Sequence, residues 1–127
     1  TVSPMPPGEY WGKWMDVDLG ITPWTGRPLG TQALNLAYTA DVEGKPVAWN
    51  ESRWVDEEFS KLLVEANGTL DIEKRRAIMC QLETIQQERG SIGIAYWMAV
   101  MLPVRKNVHG VQPHPAMAML FNEVWKE

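Results

Sequence analysis

The stretch Ile21–Gly30, with the sequence ITPWTGRPLG, decides how the rest of the chain is interpreted. It begins with apolar residues that suit the end of a buried strand, and it ends where a helix is predicted to start. Gly26 permits close approach of another group to the backbone, and Pro28 favours an extended conformation for Arg27. In open α/β sheets, a strand followed by a turn and a helix places ligands at the carboxyl end of the strand.

The turn within this stretch offers four kinds of contact to a ligand. Trp24 has a flat ring for stacking, Thr25 has a hydroxyl, and Gly26 has an unobstructed amide. Arg27 has a planar guanidinium that suits carboxylate or phosphate. An ordinary turn with a core tryptophan and a solvated arginine explains the same residues, and both interpretations stay open on this stretch alone.

Composition limits the classes of function. The chain has 127 residues and a net charge of -4, with acidic and basic residues mixed along it. A basic patch with interleaved aromatic residues is absent from the sequence, which argues against a nucleic-acid partner. Seven tryptophans are many for this length. We expect several of them to be buried or to line a concave surface.

Two amphipathic helices are the clearest periodic feature. Asp56 is predicted to cap the first helix, which should end at a left-handed Asn67-Gly68 pair. Asp71 is predicted to cap the second helix, which should end at Gly90. The core-facing residues of the first helix are Phe59, Leu62, Leu63 and Ala66, and those of the second are Ile78, Leu82 and Ile85. The short connection predicts an antiparallel helix pair.

The remaining segments predict a mixed α/β fold, with helices packed on a sheet. The predicted elements are a short helix over Gly8–Val17, a strand over Leu19–Trp24, a helix over Leu29–Ala40, a buried strand over Ile92–Met98, an extended piece over Val108–Gly110 and a strand or turn over Leu120–Trp125. We expect residues 1–127 to form a single domain. The strands are too few to close a sheet, which favours a piece of a larger architecture.

No group of residues predicts catalysis or a metal site. His109 and His114 lie five residues apart with no cysteine or carboxylate pair beside them, whereas zinc needs three or four ligands. Two surface imidazoles are therefore favoured over a zinc site or a small hydrolase. Cys80 lies in a predicted helix and is expected to be a small buried apolar residue. We expect no enzyme activity, no metal and no cofactor.

Taken in order, five runs of the chain resemble the C-terminal portion of the family 5 extracellular solute-binding proteins. These proteins are the dipeptide- and oligopeptide-type receptors of ABC importers. The runs are ITPWTGRPLG, WNESRWVDEEFSKLL, LDIEKRRAIMCQLETIQQERGSIGIAYW, RKNVHGV and FNEVW. Their order across nearly the whole chain carries the resemblance. It implies that residues 1–127 are a fragment of the C-terminal lobe of a two-lobe, type II-like periplasmic binding protein.

The resemblance also implies a location and partners. The parent protein would be periplasmic or otherwise extracytoplasmic, and would deliver a peptide or a related small solute to an ABC permease in the membrane. It would bind without catalysis, between this lobe and the remaining lobe. A face left uncovered in the isolated fragment would be open to dimerisation.

Site residues follow from the resemblance position by position. Trp24, Thr25 and Gly26 match the strand end that borders the ligand in this family. In peptide-binding members an Asp three residues after that Trp holds the α-ammonium of the ligand, and here the position is Arg27. An arginine in the cleft would select an anionic solute, whereas the alternative is an arginine turned to solvent or paired with an internal Asp. Trp97 matches a region where the family places an aromatic ring against the ligand, with burial in the sheet as its alternative.

A function of a different class stays open beside the importer receptor. The seven tryptophans would also suit a stand-alone interaction module that docks a protein or a sugar through an aromatic surface. Such a module should bind its partner without a second lobe.

Overall fold

The structure is a computed structural model that describes residues 3–99, 101–114 and 118–127. Its elements are α1 (Pro7–Tyr10), α2 (Gly30–Ala37), α3 (Glu57–Gly68), α4 (Ile72–Arg89), β1 (Val108–His109) and β2 (Trp125–Lys126). Contacts divide the chain into two units. The first unit comprises Leu29–Ile92 and the residues up to Pro23, and the second comprises Trp24–Pro28 and Gly93–Glu127.

Both predicted helix caps are confirmed. The Asp56 carboxylate accepts a hydrogen bond from the backbone N–H of Phe59 at 2.8 Å. The Asp71 carboxylate accepts one from the backbone N–H of Lys74 at 2.9 Å. Each aspartate therefore satisfies a donor that the first turn of its helix would otherwise leave without a partner.

The hydrophobic core of the first unit lies among α2, α3 and α4. The predicted stripes are confirmed except at Leu62, which is only half-buried. The helix predicted over Leu29–Ala40 is present as the shorter α2, and it contributes Ala37, followed by Tyr38. The buried apolar side chains are Ala37, Tyr38, Phe59, Leu63, Ala66, Ile78, Leu82 and Ile85.

Helices α3 and α4 are antiparallel, as predicted. The Nε atom of Arg89, the last residue of α4, donates to the Asp56 carboxylate at 2.7 Å. A second guanidinium nitrogen of Arg89 donates to the Glu58 carboxylate at 2.5 Å. Because the end of α4 contacts the start of α3, the two helices run in opposite directions. The predicted left-handed end of α3 is wrong, since Gly68 is not among the glycines with positive φ.

Two predicted strands are absent. Leu19–Trp24 and Ile92–Met98 have no regular secondary structure, and residues such as Leu19 and Ile21 are 92% and 91% exposed. A strand is stabilised by a neighbouring strand and by a buried face, and among the described residues these segments have neither. The helix predicted over Gly8–Val17 is present only as α1, followed by turns.

A buried asparagine organises the loop before α3. Asn50 is 0% exposed. Its amide nitrogen donates to the carbonyl oxygens of Thr39 at 3.3 Å and Trp54 at 2.7 Å, and its amide oxygen accepts from the Ser52 hydroxyl at 3.0 Å. Asn50-Glu51-Ser52 matches the N-glycosylation pattern, but an amide enclosed in this way is not accessible to a glycosylating enzyme.

The second unit contains the two-stranded antiparallel sheet, in which Val108 lies opposite Lys126 and His109 lies opposite Trp125. The imidazole of His109 stacks on the Trp125 indole with ring centroids 4.2 Å apart. Strand β1 confirms the extended piece predicted over Val108–Gly110. The strand or turn predicted over Leu120–Trp125 is present as a turn at Asn122-Glu123, followed by the start of β2. In the described part of this unit no side chain is buried.

Candidate functional site

The predicted ligand turn, Trp24–Pro28, lies in the second unit and has no regular secondary structure. Thr25 and Gly26 are exposed, whereas Trp24 and Arg27 are half-buried. One guanidinium nitrogen of Arg27 donates to the Thr25 hydroxyl oxygen at 2.5 Å. Because these two residues are only two positions apart, this hydrogen bond holds the guanidinium over its own turn.

Within the described residues, the charge of Arg27 is not neutralised by a neighbouring carboxylate. Among the ion pairs of the described residues, none involves Arg27. The predicted alternative of an internal Asp partner is therefore not observed there. A guanidinium has five N–H donors, so the hydrogen bond to Thr25 leaves donors that can bind a carboxylate or phosphate in the usual forked geometry.

Trp97 is not buried in a sheet. Its side chain is 86% exposed, and its neighbours Tyr96 and Met98 are 71% and 66% exposed. The burial alternative for Trp97 is therefore wrong in this structure. Trp24, Thr25, Gly26 and Arg27 are consecutive residues of one turn, whereas Trp97 lies in a different segment of the same unit.

Two cavities lie elsewhere in the chain. One has a volume of about 500 Å³ and is lined by Arg89 and by α3 residues between Asp56 and Glu65. The other has a volume of about 240 Å³ and is lined by residues between Leu102 and Val124. Neither of these two cavities is lined by the predicted site residues.

The larger cavity is bordered by ion pairs that are already formed. The hydrogen bond from Arg89 holds the pKa of the Asp56 carboxyl below its usual range, against the opposing effect of burial. The hydrogen bond from Lys61 lowers the pKa of Glu57 in the same way. A carboxylate held ionised by a cation is a poor general base near neutral pH. We therefore assign these groups to the helix pair and not to a reaction.

A polar chain in the first unit was not predicted from the sequence. The Tyr10 hydroxyl and the Thr22 hydroxyl lie 2.6 Å apart, and the Thr22 hydroxyl donates to the Glu51 carboxylate at 2.5 Å. Burial, together with the charge of Glu51, raises the pKa of Tyr38. These contacts join residues 12 and 29 positions apart, and neither separation is a helix or strand repeat that a sequence pattern could reveal.

Aromatic rings lie beside this polar chain. The ring centroids of Tyr10 and Trp11 are 5.5 Å apart and those of Trp11 and Trp14 are 5.6 Å apart, both in edge-to-face geometry. Trp11 is 50% exposed. Three aromatic rings are thus clustered at the end of α1 and just after it, in a different unit from the predicted ligand turn at Trp24.

The structure shows where His109 and Cys80 lie. His109 lies 3.7 Å from the Glu127 carboxylate, and within the described ranges no three metal-ligating side chains form a group that could hold a metal ion. Cys80 is exposed, so its predicted burial is wrong. It lies midway between the buried Ile78 and Leu82, which places it on the opposite side of α4.

Comparison with family models, with curated proteins and with solved structures finds no match to this chain. Among the helices of the described residues, none combines the length and the apolar character that a membrane span requires.

Proposed function

We propose that this chain belongs to the C-terminal lobe of the substrate-binding component of an ABC importer, and that the parent protein carries a small anionic solute or an anionic peptide. The observation that carries the proposal is the Arg27 turn. It combines an exposed Thr25 and Gly26 with a guanidinium that has no ion-pair partner among the described residues. An ABC permease in the membrane would receive the solute.

The exposed apolar surface of the second unit supports the lobe interpretation. The segment Gly93–Ala99 has no charged residue and every one of its residues is exposed. Monomeric soluble proteins rarely expose contiguous apolar patches of this kind unless they are interaction surfaces. In a two-lobe receptor, the remainder of the parent protein would cover this segment.

The proposed mechanism is capture without chemistry. The solute would enter an open cleft, and the two lobes would close over it by a hinge motion. Arg27 would donate two parallel hydrogen bonds to a carboxylate of the solute. Its positive charge would repel a ligand ammonium, so the turn would reject peptides whose only charge is at the amino terminus.

Matched peptides test this charge preference. The parent protein, expressed from its full coding sequence, would be titrated calorimetrically with N-acetyl-trialanine and with trialanine amide, which differ chiefly in the sign of their charge. We expect N-acetyl-trialanine to bind more tightly. Arg27→Asp should weaken its binding by roughly 1.5–3 kcal/mol, the range for hydrogen bonds to charged groups.

The control is Lys106→Asp, which makes the same change of charge at an exposed position of the same unit. It should leave the affinity nearly unchanged. Equal loss of affinity in Arg27→Asp and Lys106→Asp, or tighter binding of trialanine amide than of N-acetyl-trialanine, would show that Arg27 does not bind the solute. If the chain is one lobe of a receptor, it supplies only about half of the ligand contacts and should bind weakly by itself. Micromolar binding of either peptide by the 127-residue chain alone would therefore contradict the lobe interpretation.

The stand-alone interaction module remains a second candidate because of the three rings at α1. Trp11 packs edge-to-face with Tyr10 and Trp14 and is still 50% exposed, which suits contact with a sugar or an apolar side chain. The 127-residue chain would then bind an oligosaccharide such as maltotriose by itself, and Trp11→Ala would abolish the binding. Absence of binding in that titration would exclude maltotriose-type sugars as partners.

A further inference from the structure

We propose that the cavity between Leu102 and Val124 binds a small carboxylate that has an apolar body. This site is separate from the Arg27 turn and does not depend on the importer proposal. Three features of the cavity support this site: its apolar lining, its size, and the Arg105 side chain at its wall.

The cavity is apolar on most of its surface. Eleven residues line it, and nine of them are apolar, including Leu102, Val108, Val111 and Val124. These four side chains are half-buried, so they form the deeper part of the cavity. Ligand pockets in proteins commonly have this composition, with a few polar groups that orient the ligand.

The size of the cavity sets the size of its occupant. Its volume is about 240 Å³. An apolar cavity of about 150 Å³ is sufficient to bind benzene. The present cavity therefore has room for one aromatic ring and a short alkyl chain, or for a branched aliphatic group of similar size. A peptide of several residues would not fit.

The polar lining residues favour a negative charge on that occupant. Arg105 and Gln112 are the two polar residues of the lining, and in the part of the chain that the structure describes neither side chain forms a hydrogen bond or ion pair. Both can donate to a carboxylate. By sequence, the second unit carries four Arg and Lys side chains but only two Glu. A carboxylate at the wall of the cavity would supply the partner that the Arg105 guanidinium lacks.

Three probes with one apolar body and different head groups test the proposal. The intact chain would be titrated with 4-phenylbutyrate, 4-phenyl-1-butanol and 4-phenylbutylamine while methyl NMR signals of valine are followed. We expect saturable shifts at Val108, Val111 and Val124, and at least fivefold tighter binding of the acid than of the amine. The affinity itself should be weak, because the cavity is small.

Two neutralising variants separate a specific contact from general charge. Arg105→Gln should weaken 4-phenylbutyrate at least fivefold and change 4-phenyl-1-butanol less than twofold. Lys106→Gln removes the same charge at the adjacent position, which does not line the cavity, and should change either affinity less than twofold. Val124→Trp should fill the cavity and abolish binding of all three probes.

Several results would overturn the proposal. They are equal binding of acid and amine, the same loss in the Arg105 and Lys106 variants, and shifts that do not saturate at the three valines. Arg105→Gln lies at the surface and does not disturb the packing, so it decides the question even if Val124→Trp fails to fold.

Discussion

At the scale of single residues, Asp56 has two roles. One depends on local sequence and the other on tertiary structure. Its role as the cap of α3 is visible in the sequence, because an aspartate precedes an apolar stripe of helical spacing. Its ion pair with Arg89 spans 33 positions. Local sequence does not reveal this partner, since the partner of a long-range pair depends on how the helices pack.

We expect the first unit to lose stability in acid through this aspartate. Its pKa is lower in the folded chain than in the unfolded chain. The stabilisation is therefore complete above the unfolded value of about 4, and it is lost as the pH falls through the lower folded value. Urea unfolding followed by circular dichroism at pH 7 and pH 3 would measure this loss.

Two substitutions separate the roles of Asp56. Asp56→Asn keeps the cap and should reduce the pH dependence, with a small loss at pH 7. Asp56→Ala also removes the cap and should cost about 1 kcal/mol at pH 7. Asp71→Asn serves as the control, because among the described residues no arginine pairs with the Asp71 carboxylate. An unchanged acid profile in Asp56→Asn would show that the Arg89 ion pair does not contribute.

At the scale of elements, helices were predicted well and strands poorly, for a physical reason. The hydrogen bonds of α2, α3 and α4 lie within each helix, so local periodicity and capping predict their positions. A strand needs a partner that the local sequence does not specify. The apolar segments at Leu19–Trp24 and Ile92–Met98 have strand-like composition, but no neighbouring strand pairs with either of them within the described ranges.

Gly110 is expected to be essential for the pairing of β1 with β2. Its φ is +77°, and a Cβ atom there would clash with the carbonyl oxygen of Glu123. Gly110→Ala should therefore destabilise the sheet by about 1 kcal/mol or more. Faster hydrogen exchange of the Glu127 amide, which donates to the Asn107 carbonyl at 3.1 Å, would report the loss.

Gly93 provides the matched control in the same unit. A Cβ atom there would have no neighbour within 4 Å, and its φ is not in the left-handed region. Gly93→Ala should leave the exchange of the Glu127 amide unchanged. If Gly110→Ala exchanges as slowly as the wild-type chain, the turn can accommodate a side chain and the argument from backbone geometry is wrong.

At the scale of the whole molecule, the two units differ in what stabilises them. The first has a core of buried apolar side chains from three helices, whereas every buried residue of the described chain lies outside the second. The helical core is predictable from the sequence, because its apolar residues recur with helical spacing. The apolar composition of the segment after α4 also favours a buried strand, but composition does not show what covers a segment.

Limited proteolysis should reveal this difference. Chymotrypsin should cut first after Tyr96 and Trp97, which are exposed and lie outside regular structure. Cleavage after Tyr38 and Phe59 should be much slower, because these rings are 8% and 0% exposed and need unfolding of the core. Mass spectrometry of the early fragments measures the order. Simultaneous cleavage at both kinds of site would show that the helical core is not stable by itself.

The candidate sites also differ in how far the sequence predicts them. The four residues of the Trp24–Arg27 turn could be proposed together because they are consecutive, and their chemistry is readable from the sequence. Two other features could not be proposed from the sequence, since both depend on contacts between distant segments. They are the cavity that Arg105 lines and, in the first unit, the polar chain of Tyr10, Thr22 and Glu51. Local chemistry is thus predictable here, and its three-dimensional surroundings are not.

The exposed Cys80 makes α4 a convenient place for a spectroscopic label. It is the single cysteine of the chain, so a maleimide fluorophore would attach at one position, on the solvent side of a helix whose opposite side is packed. Energy transfer to that dye from the native tryptophans would then follow rearrangements of the chain in real time, with no engineered cysteine and no substitution in the core.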